Sequence, residues 1–187
     1  MLKKLRRRFG CQADPLSVYR ADRLDNKSVN EIRYPAKASL VSTGLYAYRL
    51  FFLISDAAAD RVRQAIKTAF SDASESPYFV LETTNQKGFS INVSIQAEQT
   101  LHGTLIEMVT NNADLLAALD DLELEPMTPW SVFPELDPDS MGSLQGNIEF
   151  WWNHFFLPFW NFLDADGKKR YLDKAPSGWA EFILCHT

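Results

Sequence analysis

Residues 89–97 read FSINVSIQA: Phe89, Ile91, Val93, Ile95 and Ala97 alternate without exception against Ser90, Asn92, Ser94 and Gln96. A repeat of two puts the apolar set on one face of a strand and the uncharged polar set on the other. Working outward, 85–88 (NQKG) reads as a hairpin loop leading back to a strand at 78–84, and 101–109 supplies the next antiparallel strand. Upstream, 46–54 (YAYRLFFLI) is aromatic and aliphatic nearly throughout, the pattern of a strand buried on both faces in mid-sheet. Between these, Ala59, Val62, Ile66 and Phe70 recur at spacings of three and four, with Arg61, Arg63 and Lys67 on other faces. That spacing predicts an amphipathic helix, capped by Ser55 or Asp56 and followed by the polar turn 71–77. A short helix is expected at 113–119, capped by Asn111 or Asn112.

Together these segments predict an α+β fold: an antiparallel sheet of about four to five strands with flanking helices and a helical C-terminal part. A length of 187 residues fits one domain and buries a core without disulfides or metal. Within it, 1–44 reads as an irregular arm with one short strand near 39–42, 45–119 as the α+β core, 120–146 as an acidic loop and 147–187 as an aromatic-rich helical part. The last part is expected to start a helix near Asn147, break or kink around Pro158, turn at 164–167 and end in a helix from Pro176 or Ser177 to about Cys185.

Charge is distributed unevenly. From Gly88 to Gly167 there is no Lys or Arg in eighty residues, against thirteen Asp and Glu. The whole chain carries −5, so the remainder carries +8. A field concentrated in one stretch attracts cationic partners and repels nucleic acid. Seven of the thirteen acids fall in 120–146 (DDLELEPMTPWSVFPELDPDSMGSLQG), a segment long enough to be a functional loop or packed irregular structure. Solubility alone is normally obtained with both signs interspersed. The expected partner-binding residues are therefore Asp120, Asp121, Glu123, Glu125, Glu135, Asp137 and Asp139, with Trp130 and Phe133 as apolar anchors. The expected partner is one protein with a basic face.

The window 150–162 (FWWNHFFLPFWNF) packs eight aromatics into thirteen residues. A helix apolar nearly all round is normally buried. Its alternative is a surface hot spot built from Trp151, Trp152, Phe156 and Trp160. Stacking on single-stranded nucleic acid needs interleaved cations, which are missing here. The start of the chain, MLKKLRRRFG, spaces Leu2, Leu5 and Phe9 as a short basic amphipathic helix, and no apolar run of signal-peptide length follows. No stretch of eighteen apolar residues occurs, so no membrane span is expected and a cytoplasmic location is.

Chemical motifs are weak. Cys11 and Cys185 lie at opposite ends without CxxC spacing, and His102, His154 and His186 share no metal-ligand spacing. Asp164, Asp166, Gly167 and Asp173 imitate part of a calcium loop, but Phe162 occupies the first ligand position, and Asp137, Asp139 and Gly142 fail similarly. No metal, cofactor or catalytic residue is expected. An enzyme or ligand-binding domain would need a pocket between sheet and aromatic helices, with His102, His154 or Glu149 as acid–base groups.

In its small acidic, motif-poor, aromatic-rich α+β character, and in its C-terminal run WWNHFFLPFWNFLDADGKKRYLDKAPSGWAEFILCHT, the chain resembles the stand-alone immunity proteins of bacterial toxin systems, contact-dependent inhibition systems among them. The resemblance implies neutralisation of a cognate toxin by tight binding. It assigns no individual residue a role.

Overall fold

The computed structural model describes residues 16–20, 29, 33–70, 78–84 and 90–187. The basic N-terminal helix, Cys11, the 71–77 turn, the 85–88 hairpin loop and Phe89 lie outside the described residues. The fold is α+β: five strands, β1 (Lys37–Ser39), β2 (Tyr48–Ile54), β3 (Tyr78–Thr84), β4 (Ser90–Thr100) and β5 (Gly103–Thr110), form one antiparallel sheet in the order β1-β2-β5-β4-β3.

The alternation at 89–97 sets the register. Phe79 faces Ile95 and Leu81 faces Val93 across β3–β4, while Ile95 faces Met108 and Ala97 faces Ile106 across β4–β5. Leu50 and Phe52 extend that apolar face into β2. The β4–β5 turn is tight, and Leu101 and His102 both hold positive φ (51° and 61°), the pairing of a two-residue hairpin whose usual occupants are Asn and Gly. Gly103 follows because a Cβ there would stand 2.6 Å from the Ile54 carbonyl oxygen and 2.2 Å from Met127 Sδ.

β2 has Leu50, Phe52, Leu53 and Ile54 buried on both faces, as its sequence predicts. Its outer neighbour β1 is only three residues long and begins earlier than the expected 39–42, where Val41–Thr43 instead forms a 3-10 turn. Beyond β1 the edge of β2 is completed by a side chain. The Tyr34 hydroxyl donates to Leu53 O (2.9 Å) and accepts from Leu53 N (3.2 Å), so neither backbone group is left unpaired.

Helix α1 (Asp56–Phe70) starts at Ser55, whose Oγ accepts from Ala58 N, and buries Ala58, Ala59, Val62, Ile66 and Phe70. It packs on β3, β5 and helix α2 (Ala113–Asp121). Three polar residues join β5 to α2. Thr110 Oγ1 donates to Asn92 O, Asn111 bridges back to Asn92 N and Ser90 O on β4, and Asn112 Oδ1 caps α2 by accepting from Asp114 N and Leu115 N.

The C-terminal part rules out a break at Pro158 and departs from expectation at 164–167. From Asn147 the chain stays helical to Phe162, as α4 (Asn147–Trp151), a π-helical turn (Trp152–Phe156) and α5 (Leu157–Phe162). Pro158 therefore does not break the helix. A proline lacks its N–H and crowds the carbonyl four residues back, here that of His154, and the wider π turn sits over that point, with Leu157 N donating to Trp152 O. The expected turn at 164–167 is instead the first turn of α6 (Ala165–Leu172), capped by Asp164 Oδ1 accepting from Gly167 N at 2.7 Å. The last helix, α7, spans Trp179–His186.

Trp151, Trp152, Phe155, Phe156, Phe159 and Trp160 are all buried, which settles the aromatic window as core. Phe156 lies at its centre, with Trp151, Trp152, Trp160 and Tyr171 rings at centroid distances of 5.6, 4.4, 5.7 and 5.6 Å. Phe51, on the face of β2 opposite Phe52, meets Phe150 and Phe155, so one continuous apolar core runs from the sheet into the C-terminal helices. A second, smaller core forms around Tyr19, Leu45, Ala47 and Val109. There the buried Tyr19 hydroxyl donates to Val109 O (2.8 Å) and lies 3.0 Å from Ser94 Oγ.

Candidate functional site

The acidic segment is packed irregular structure pinned by apolar residues. Leu124, Val132 and Phe133 are buried, and Met127, Trp130, Leu136, Met141 and Leu144 are partly so. Pro129 opens a one-turn helix, α3 (Pro129–Val132), after Thr128, whose Oγ1 lies 2.7 Å from Ser131 Oγ. Asp137 Oδ1 accepts from Asp139 N at the head of a 3-10 turn, Pro138–Ser140. Gly146 then takes φ 65° to start α4, which side chains with a Cβ rarely adopt.

The nine residues expected to meet a partner divide into two groups. Asp120 faces inward: Lys37 Nζ, on a side chain with no exposed surface, donates to Asp120 Oδ1 at 2.6 Å and to Pro35 O at 3.2 Å. The pair also places a cation at the C-terminal end of α2, where two consecutive acids oppose the helix dipole. Glu123 pairs with Arg33 at 3.3 Å in an exposed bridge. Phe133 is 5 % exposed and packs edge-on against Trp151, and Trp130 is half-buried against Tyr171 and Trp179, so both rings serve the core. The other five, Asp121, Glu125, Glu135, Asp137 and Asp139, are exposed and make no ion pair among the described residues.

At Glu135 the segment forms an open groove of about 430 Å³. Buried Phe133 and Ile148 and half-buried Leu136 and Met141 supply its apolar lining; exposed Glu135, Ser143, Gln145 and Asn147 supply its polar one. Gln145 Nε2 donates to Ser143 Oγ at 2.9 Å. Sequence reasoning found Phe133 and Glu135 but missed the rest. Their signal was the scatter of Leu136, Met141 and Ile148 among polar neighbours, which has no helical or strand period.

The possible acid–base groups are not gathered. His102 is exposed in the β4–β5 turn, and Glu149 and His154 are exposed on the aromatic helix, where His154 Nδ1 lies 2.8 Å from Phe150 O. None lines the groove. His186 Nδ1 lies 2.8 Å from Phe182 O, and Cys185 is exposed. Among the described residues no group of three or more His, Cys, Asp or Glu side chains is placed to hold a metal ion, and no helix is long and apolar enough to cross a membrane. The perturbed groups are tyrosines. Burial pushes the Tyr19, Tyr34 and Tyr171 hydroxyls well above the ordinary range, and Glu125 adds to the rise at Tyr171. These shifts describe neutral core groups rather than a reactive centre.

Comparison with protein-family models, curated proteins and solved structures finds no match for this chain.

Proposed function

We propose that this chain is a non-enzymatic binding protein that neutralises a cognate bacterial toxin in the cytoplasm, in the manner of the immunity proteins its sequence resembles. It engages one protein partner with a basic face through the acidic segment. The observation that carries this reading is the set of five exposed carboxylates, Asp121, Glu125, Glu135, Asp137 and Asp139, inside an eighty-residue run with no cation to balance them. Among the described residues only Asp137 of these five uses its carboxylate in an internal hydrogen bond, accepting from Asp139 N, so the fold has little use for their charge. Such a surface speeds encounter with a basic face and excludes acidic and nucleic-acid partners.

The test is retention from a lysate of the source organism on immobilised protein at about 50 mM and about 500 mM salt, with mass spectrometry of what is held. A single stoichiometric partner with a basic catalytic domain, held more weakly at high salt, supports the reading. Retention of no partner at either salt overturns it.

A further inference from the structure

We infer that the groove between the acidic segment and the start of α4 is a receptor for one arginine side chain of a protein partner. The inference rests on the binding reading for the source of that arginine, but its test needs no natural partner. Among the described residues Glu135 is the only ionisable one lining the groove, and it makes no ion pair with any of them. Because Gln145 uses its amide nitrogen on Ser143, its carbonyl oxygen remains a second acceptor. An acceptor-rich site with a carboxylate suits the planar guanidinium, which has five donors and no acceptor. The four apolar residues suit the aliphatic stem, which buries along such surface while its head stays with the carboxylate. The volume, about 430 Å³, is within the range of sites that enclose a small ligand. An anionic occupant would be opposed by Glu135 itself and by exposed Asp137 and Asp139 at the following 3-10 turn and Glu149 on α4, next to Ile148.

The experiment titrates the full chain with the peptide acetyl-Gly-Arg-Gly-amide and with its neutral isostere carrying citrulline, reading the methyl resonances of Met141 and Ile148. The arginine peptide is expected to shift both methyls saturably and to bind about tenfold more tightly than the citrulline peptide. Glu135→Gln, an exposed change that leaves the core intact, is expected to erase that preference. Equal binding of the two peptides, a preference that survives Glu135→Gln, shifts confined to other residues, or no shift at all would overturn the assignment. If a basic partner is retained from lysate while the peptide fails, the groove assignment falls and the binding reading stands; the converse result separates them the other way.

Discussion

The sheet region and the acidic, aromatic C-terminal region handle charge in opposite ways. In the first, charges are paired: Lys37 with Asp120 and Arg49 with Glu107 (2.7 Å) across elements, and Arg63 with Asp60 within α1. Arg61 also donates to Leu122 O at the end of α2. In the second, rings from Phe133 to Phe182 hold the structure while the carboxylates around them stay exposed. The contrast separates charge that is used within the fold from charge that stays exposed and unpaired among the described residues. It also shows why a count of acids over 120–146 is a blunt guide, since Asp120 belongs to the first kind and Glu135 to the second.

The largest expected effect probes the aromatic core. Phe156→Ala removes the ring shared by Trp151, Trp152, Trp160 and Tyr171 and is expected to cost about 3–5 kcal/mol in urea unfolding. A cost under about 1 kcal/mol would show that the C-terminal helices are not held by this cluster. Next comes the buried ion pair. Asp120→Ala strands the Lys37 ammonium and is expected to cost about 3 kcal/mol, whereas Lys37→Met with Asp120→Leu should recover most of that loss. If the single change is neutral, Asp120 belongs with the exposed acids after all.

A third prediction concerns pH. Tyr19, Tyr34 and Tyr171 are held neutral by burial, so their contribution to stability is complete below the ordinary tyrosine value of about 10. Above it the unfolded chain loses protons that the folded chain keeps, and stability falls. Tyrosinate absorbance should therefore rise together with loss of structure under alkaline conditions, and an early, separate rise of all six tyrosines would contradict their burial. The smallest effect is local. His102→Gly relieves a left-handed, exposed position in the β4–β5 turn and should stabilise by about 0.5 kcal/mol, readable as a small rise in thermal midpoint.

Periodicity made much of the sheet region legible. The alternation at 89–97 and the three-and-four spacing in α1 reflect burial that repeats with the backbone, and the strands at 78–84 and 103–110 follow within two residues. What escaped was decided by single long-range partners. Nothing local marks Tyr34 as the group that completes the β2 edge, or Lys37 as a buried cation, because each depends on a residue far along the chain. At 164–167 the difficulty was chemical ambiguity, since an Asp followed three residues later by Gly suits a turn and a helix cap equally. The groove was illegible for a third reason: its lining comes from aperiodic chain folded by a few apolar pins.

The central claim is that the exposed acids of the C-terminal region serve binding and not folding. Its most direct measurement is the association rate of the captured partner with the variant D121K/E125K/E135K at about 50 mM salt, on protein shown by its unfolding curve to be as stable as the parent. The account predicts a rate at least about tenfold below that of the parent, with the salt dependence largely gone. An unchanged rate on an intact fold would contradict it.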